Sequence, residues 1–331
     1  MTWEKQTVVV VLGTPRSGTS ALTRMLPVFG INLGDELVRP NLNNPSGFWE
    51  DVPTQRINTR LLELAGRHLG WPVCPREAVE SAEPYAGLLQ EARNLLREKF
   101  ADKNIWAFKD PRINRLLFFW QRVFADLNYQ DRYLLALRNP ASVAQSLLAS
   151  SGLKPLTGLA LWLECTVQAV QNTLGKSLVV VAYERLLADT HREILRVAQE
   201  LGMEERLVEE EMAYYEGQFI DASLRHVECS RDDLMRLAKD LPLTLDVYDV
   251  LGQRATDEIS ETEFRQRWGT LYTRYKVEYP AFAAANSWLG NSQAISVTDL
   301  RRIYWRISYH GSAEIWRLAK RAMGKVWLEA S

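Results

Sequence analysis

An uninterrupted apolar run that leads into a glycine-bounded loop is the feature that most constrains how this chain can fold. Thr7–Leu12 reads TVVVVL without polar alternation, which is typical of a strand that is buried on both faces of a parallel sheet. Gly13–Gly18 follows as a loop, and Ser20–Phe29 has apolar residues at helical spacing. The sequence therefore predicts a strand–loop–helix unit near the start of the chain.

Three further apolar runs follow, with helical patterns before and between them. The predicted strands are Ile105–Phe108, Tyr133–Leu137 and Leu178–Ala182, and the helical patterns cover Glu77–Phe100, Asn114–Leu127, Pro140–Ala149 and Leu159–Leu174. Alternation of this kind predicts an α/β fold, in which a parallel sheet with right-handed crossovers carries helices on its faces. After Tyr183 the pattern becomes mainly helical.

The chain of 331 residues is long enough for one large α/β domain with an appendage. We place that domain at residues 1–254 and a helical C-terminal extension at residues 255–331, because Ala255–Glu263 is polar and resembles a linker. The tail from Asp299 mixes arginine and lysine with tyrosine and tryptophan. Such a tail either lies on a membrane or grips an anionic acceptor, or it packs its aromatic side chains on the domain and leaves its bases in water.

Charge and composition argue against a nucleic-acid-binding, disulfide-rich, zinc-binding, secreted or membrane-spanning protein. A net charge of −1 gives no general attraction to nucleic acid. Cys74, Cys165 and Cys229 have no paired spacing that indicates a disulfide framework or a zinc site, so we expect free thiols and no metal. The first apolar run is too short for a signal peptide, and no stretch approaches the ~20 apolar residues that cross a bilayer. We expect a soluble, cytoplasmic protein, peripheral at the inner membrane face if the tail binds lipid.

The loop between the first strand and the first helix has the composition of an anion-binding loop. Its glycines let the backbone approach an anion, and the helix N-terminus adds a favourable dipole. The Gly13-x4-Gly18 spacing matches a Walker A loop, but Thr19 stands where an NTPase needs lysine. Arg16 lies within the loop instead and suits a less highly charged group that is held without metal. The expected binding residues of this loop are Pro15, Arg16, Ser17, Gly18, Thr19 and Ser20.

A second candidate anion contact follows the third predicted strand. Arg138 ends that strand in the sequence LLALRNP, and Ser146 follows eight residues later on the next predicted helix. A guanidinium group binds phosphate as a bidentate fork, and ligands of α/β folds lie at the carboxyl ends of strands. Lys109 and Arg112 follow the second predicted strand and face an anion in one reading. In the other reading, Asp110 pairs with Arg112 and braces the turn.

These segments resemble the sulfotransferases that use 3′-phosphoadenosine-5′-phosphosulfate (PAPS), especially their bacterial and Golgi-type carbohydrate branch. The PRSGTS loop, the RNP turn with its serine, the KDPR turn and the later YERLL segment carry the resemblance, which covers Val8 to Gly202. The late glycine-rich RKG-type segment of cytosolic members is not visible in this sequence.

The resemblance implies a P-loop-like fold, PAPS as the donor without metal, and no nucleic-acid partner. It implies a hydroxyl or amine acceptor in a glycan or lipid-linked glycan. It also implies that the loop holds the 5′-phosphosulfate and that Arg138 and Ser146 hold the 3′-phosphate. Arg16 and Lys109 would then assist the transfer as catalytic cations.

Sulfuryl transfer needs a base for the acceptor proton. Pro40–Pro53 is rich in Asn, Pro and Gly, which is typical of a functional loop, and it contains GFWED at residues 47–51. The resembling branch often has GFWE or GYWE here, which implies Glu50 as the base. Asp51 and His68 remain alternatives, and Glu50 has a purely structural reading in which it caps a helix or pairs with Arg56.

Two other functions fit parts of the pattern. One is a P-loop nucleotide-dependent kinase or NTPase, which the threonine at position 19 and the lack of a second Mg²⁺-binding aspartate disfavour. The other is a non-catalytic protein that binds 3′-phosphoadenosine-5′-phosphate (PAP), the product nucleotide, and transfers nothing. The sequence alone leaves both open.

Overall fold

Four parallel strands form the centre of the structure, a computed structural model that describes residues 5–40, 44, 46–64, 76–220 and 227–285. The strands are β1 (Thr7–Leu12), β2 (Ile105–Lys109), β3 (Gln130–Leu137) and β4 (Ser177–Ala182), in the spatial order β2-β1-β3-β4. Every strand pair is parallel, so the predicted α/β fold is confirmed. His68, the tail from Asp299 and part of the Pro40–Pro53 loop lie outside the described residues.

Helices flank the sheet on both faces. Those before β4 are α1 (Thr19–Met25), α2 (Val52–Leu64), α3 (Arg76–Glu80), α4 (Tyr85–Lys99), α5 (Ile113–Leu127), α6 (Pro140–Ser151) and α7 (Pro155–Thr173). The described residues after β4 contain α8 (Tyr183–Ala188), α9 (Thr190–Leu201), α10 (Glu209–Tyr214), α11 (Arg231–Leu237), α12 (Leu243–Ala255) and α13 (Glu261–Ala285). This confirms that the described part of the C-terminal region is mainly helical.

The side chains of β1 alternate between two buried faces of the sheet. Val8, Val10 and Leu12 pack in the core with α2–α7 and α11–α13, whereas Val9 and Val11 pack with α1, α8 and α9. All five side chains are at most 1% exposed. Burial on both faces explains why this strand has no polar alternation, and each such side chain contributes about 1.5–3 kcal/mol relative to an exposed one.

Two of the predicted helices are interrupted where a proline stands. The pattern over Glu77–Phe100 folds as α3 and α4, and Pro84 is the N-cap of α4. The pattern over Ser20–Phe29 changes from α1 to a 3-10 turn at Leu26–Phe29, where Pro27 has no N–H for the α-helical ladder. The spacing of apolar residues continues across both interruptions, so the spacing alone does not show where the helix is broken.

The strand order brings two loops together at the centre of the sheet. From β1 the chain continues to β2 on one side, whereas β3 lies on the other side of β1 and leads on to β4. Ligands of open α/β sheets lie at the carboxyl ends of the strands where this direction reverses. The loop that starts at Gly13 and the turn at Arg138 therefore meet at that point.

The helix α13 packs against α7 in the same core as the sheet. Trp268 Nε1 donates to Gln171 Oε1 (3.2 Å), and the hydroxyl of Tyr275 contacts the Glu164 carboxylate. The division into domains at residue 255 stays a prediction. Within the described ranges, no helix is both long enough and apolar enough to cross a membrane.

Glu164 makes stability depend on pH. Burial raises its pKa to about 7, from an ordinary value of 4.5. Between these values the folded state keeps a proton that the unfolded state has lost, so stability falls as the pH rises through this range. We expect Glu164→Gln, which cannot ionise, to gain up to about 3 kcal/mol on the parent protein over that range. Urea denaturation at about pH 5 and about pH 8 measures the gain, and equal differences at both values would contradict it.

Candidate functional site

Paired amide hydrogen bonds hold the start of the loop that follows β1. The N–H of Gly13 donates to Asn114 Oδ1 (2.8 Å), and Asn114 Nδ2 donates back to the Gly13 oxygen (2.8 Å). Asn114 is fully buried in the first turn of α5. The N–H of Ser17 donates to the Thr14 oxygen (3.1 Å), which closes a turn within the loop. The loop is therefore held both by α5 and by its own backbone.

Arg16 and Arg138 meet beside this loop. Arg16 has a positive φ of 73°, and its Nε donates to Ser146 Oγ (3.0 Å) on α6. Arg138 Nη1 donates to the backbone oxygen of Arg16 (2.9 Å), and its Nη2 donates to the Val227 oxygen (2.5 Å). The structure thus brings together three predicted binding residues from the loop, the end of β3 and α6.

The two guanidinium groups are close enough to repel each other. Burial and then the charge of Arg138 lower the pKa of Arg16. Arg138 is 7% exposed, so water screens the pair weakly. No carboxylate of the described residues forms an ion pair with either group. Two largely buried cations without a carboxylate favour a bound anion, which would supply the missing opposite charge.

The other predicted loop residues differ in what their side chains contact. Ser17 Oγ is buried and has no hydrogen-bond partner in the described part of the chain. A buried polar atom of this kind is usually satisfied by water or a ligand. Ser20 Oγ donates to the Phe48 oxygen (3.3 Å), which ties α1 to the GFWE segment. Thr19 is buried at the start of α1, and Pro15 is half-buried.

A buried ion pair forms the second half of the site. Lys109 Nζ, at the end of β2, lies 2.9 Å from Glu50 Oε1, and the two side chains are 2% and 4% exposed. Gln55 Nε2 donates to the other oxygen of Glu50 (2.9 Å), whereas Arg56 is exposed. Lys109 Nζ also donates to Ser20 Oγ (3.4 Å). Glu50 is therefore connected to the loop after β1 through two side chains.

Asp51, the residue next to Glu50, caps the start of α2. Its Oδ1 accepts from the N–H of Thr54 (3.0 Å) and from the Thr54 hydroxyl (2.7 Å), and its Oδ2 contacts Lys99 Nζ. A carboxylate in this position satisfies an N–H of the first helical turn. Both oxygens of Asp51 thus have structural partners. Because His68 lies outside the described residues, the choice of base stays a prediction.

Asp110 braces the turn after β2. Its Oδ1 accepts from the backbone N–H and from Nη1 of Arg112 (2.9 Å each), and its Oδ2 accepts from Asn58 Nδ2 (3.0 Å). Trp120 Nε1 donates to Asn58 Oδ1 (2.7 Å). The pairing of Asp110 with Arg112 is therefore present, and Lys109 is the cation of this segment that reaches Glu50.

Two residues of this region were not among the predicted site residues, although Tyr183 begins the YERLL segment. Tyr183, the first residue of α8, lies under Arg138, whose guanidinium carbon is 4.8 Å from the ring centroid. Its place at the carboxyl end of β4 is a signal that could have identified it. Gln55, which binds Glu50, lies within α2 and gives no comparable signal.

The acidic, histidine and cysteine side chains of the described residues give no sign of a metal centre. Among the described residues, no three His, Cys, Asp or Glu side chains group in a way that could hold a metal ion. Cys165 is free and buried, and burial raises the pKa of its thiol to about 11. Cys229 is also free, and Cys74 lies outside the described residues. Donor binding without metal stays a prediction.

Comparisons with known proteins find similar solved structures. A scan of protein-family models finds no match, and neither does a search of curated proteins. The chain is similar to the sulfotransferase domain of the olefin synthase from Synechococcus PCC 7002, with a TM-score of 0.40 and 15% identity over 72% of this chain and 95% of that one. It is also similar to a sulfotransferase domain from the curacin biosynthetic pathway, with a TM-score of 0.38 and 14% identity over 72% of this chain and 98% of that one.

Gly18 is a position where a side chain should be harmful. Its backbone is left-handed (φ 86°), and an added Cβ would lie 2.2 Å from Tyr183 Cδ2. We expect Gly18→Ala to lower stability by more than about 2 kcal/mol, since it adds displacement of a buried ring to backbone strain. Gly175→Ala is the matched control, with φ 78° and no atom within 4 Å, and it should lose only about 1–2 kcal/mol. Chemical denaturation measures both, and equal losses would mean that the ring moves without cost.

Proposed function

We propose that this chain is a sulfotransferase that moves a sulfuryl group from PAPS to a hydroxyl or amine. The observation that carries the proposal is the pair of guanidinium groups, Arg16 and Arg138, that no carboxylate of the described residues neutralises. The Glu50–Lys109 ion pair adjoins the same loop through Ser20. Transfer of an anionic group to a hydroxyl or amine needs a cationic site for the anion and a nearby carboxylate that can take the proton of the acceptor.

The residues of the loop and of the β3 end fit the anionic groups of PAPS. Arg138 and Ser146 would hold the 3′-phosphate, and Arg16 with the loop backbone would hold the 5′-phosphosulfate. Ser17 Oγ, which lacks a hydrogen-bond partner among the described residues, is a further donor in the same loop. Thr19, in the place of the NTPase lysine, favours this donor over a triphosphate. Bound there, PAPS supplies a sulfuryl group that its bond to phosphate has activated.

Glu50 is the residue that we assign to proton transfer. Lys109 contacts one of its oxygens and Gln55 the other, so the carboxylate is held in one orientation. As the carboxylate of an ion pair, it can accept the proton that the acceptor loses. Arg16 and Lys109 are the cations that we assign to stabilise the negative charge that develops during the transfer.

The acceptor and the setting are further parts of this proposal. The resemblance to the carbohydrate branch favours a glycan or lipid-linked glycan as the acceptor. The basic and aromatic tail from Asp299 would contact this acceptor, and it would also contact the inner membrane face if the protein is peripheral there. Transfer of ³⁵S from labelled PAPS to a fractionated extract of the native host tests the function and identifies the acceptor. Mg²⁺-dependent ATP turnover would instead support a kinase or NTPase. Tight PAP binding without any transfer would support a non-catalytic PAP-binding protein.

Arg138 should matter for the 3′-phosphate in particular. Arg138→Ala should weaken PAP binding by ~2–5 kcal/mol, because it strips one partner from a buried charged contact. Adenosine-5′-phosphosulfate, which has no 3′-phosphate, should lose much less affinity. Calorimetric titration measures both nucleotides.

The matched control for this experiment is Arg97→Ala. Arg97 is exposed on α4 and donates to Asn94 Oδ1 (3.1 Å), so its loss should leave both affinities unchanged. If Arg138→Ala weakened the two nucleotides equally, Arg138 would support the Arg16 backbone and would not read the 3′-phosphate.

Glu50 should act in the chemical step and hardly at all in donor binding. Glu50→Gln keeps the shape of the side chain but cannot take up the proton, so kcat should fall ~10²–10⁴-fold while PAP affinity stays nearly unchanged. The change also leaves Lys109 buried without its partner, at an expected cost of ~3–5 kcal/mol in stability. The labelled-sulfate assay measures kcat, and denaturation measures stability.

Two further variants separate these effects. Glu50→Gln combined with Lys109→Met should recover stability without recovering activity, because no unpaired charge is left buried. Asp51→Asn keeps a helix cap and should affect kcat mildly. A Glu50→Gln protein with near-normal kcat would remove Glu50 from the mechanism and direct attention to Asp51 and His68.

A further inference from the structure

The ring of Tyr183 packs against both parts of the anion site. Tyr183 directly follows β4 as the first residue of α8 and is 7% exposed. The guanidinium carbon of Arg138 lies 4.8 Å from its ring centroid. The ring also fills the space beside Gly18, where an added Cβ would lie 2.2 Å from Cδ2. One side chain therefore joins the loop after β1 to the arginine after β3.

The arginine pair needs a kind of support that does not neutralise it. Burial and then the nearby charge of Arg138 lower the pKa of Arg16, so the free protein holds this buried charge unfavourably. Arg138 donates to the backbone oxygens of Arg16 and Val227, which carry only partial negative charge. The face of an aromatic ring also attracts a guanidinium group through its quadrupole. A carboxylate in the same place would pair with Arg138 and compete with an incoming phosphate or sulfate.

We propose that Tyr183 is a positioning residue for the anionic donor, whose ring holds the Arg138 guanidinium in place by a cation–π contact while leaving the site cationic. The identity of the donor rests on the proposed function. The anion chemistry does not, because an arginine pair of this kind attracts any compact oxyanion, including inorganic phosphate.

Two replacements of Tyr183 distinguish the effect of the charge distribution on the ring from the effect of its shape. Tyr183→Phe keeps the ring face and should bind PAP within about twofold of the parent protein. Pentafluorophenylalanine at the same position, introduced by amber suppression, keeps a ring of similar shape but reverses the charge distribution on its face. It should weaken PAP binding about tenfold. Calorimetry measures PAP affinity, and thermal unfolding with and without inorganic phosphate measures the anion site without a nucleotide.

Phe118 offers a matched control away from the site. Its ring is also buried, and the guanidinium carbon of Arg76 lies 5.0 Å from its centroid. Pentafluorophenylalanine in place of Phe118 should disturb that contact in the same way. It should change neither PAP affinity nor the stabilisation by phosphate.

The outcomes test the role of the Tyr183 ring and the proposed sulfotransferase function separately. If the fluorinated Tyr183 variant responds to PAP and phosphate as the parent does, or if Tyr183→Phe alone loses binding, the ring face is not what positions Arg138 and the inference is wrong. A parent protein that phosphate stabilises but PAP does not, with the phosphate response lost in the fluorinated variant, would overturn the proposed function and support the inference. A parent protein that responds to neither would overturn both.

Discussion

The burial of two like charges, those of Arg16 and Arg138, next to each other is the constraint on which the carboxyl edge of the sheet depends. Both side chains are held by groups with partial charge, which are the hydroxyl of Ser146, two backbone oxygens and the ring of Tyr183. A carboxylate would bind them more strongly but would leave a neutral site with no attraction for an anion. The free protein is therefore less stable than it would be with a carboxylate partner, but it keeps a positive charge that a ligand can neutralise.

Three acidic side chains near the site are each engaged by other partners. Glu50 pairs with Lys109, Asp51 caps α2 and contacts Lys99, and Asp110 braces its own turn through Arg112. Each of these three carboxylates thus has a cation of its own and does not neutralise the arginine pair. This separation lets the proposed proton acceptor, Glu50, and the proposed anion site lie beside the same loop. Ser20, which contacts Lys109 and the Phe48 oxygen, lies between them.

Local patterns predict the parts of this structure that depend on local physics. The continuous apolar run of β1 and the glycine spacing after it depend on burial and backbone freedom, so the strand, the loop and the position of Arg16 follow from the sequence. Arg138 follows from its place at a strand end. The contact of Glu50 with Lys109 joins side chains 59 residues apart. A local sequence pattern cannot predict a contact between residues so far apart in the chain. Gln55 was missed for a different reason. Its contact with Glu50 spans only five residues, but nothing local distinguishes a glutamine that binds a carboxylate from one that faces water.

The proposed anion site is assembled from contacts between distant parts of the chain. Asn114 holds Gly13 across 101 residues, Arg16 reaches Ser146 across 130, and Arg138 reaches Val227 across 89. Long-range contacts form late in folding, because the entropy of closing large loops must be overcome first. During synthesis the glycine loop leaves the ribosome before the rest of the site, and the segment at Val227, which binds Arg138, emerges some two hundred residues later. We therefore expect the proposed affinity for an anion to be acquired at the end of folding, as a property of the finished tertiary structure and not of the loop that carries the glycines.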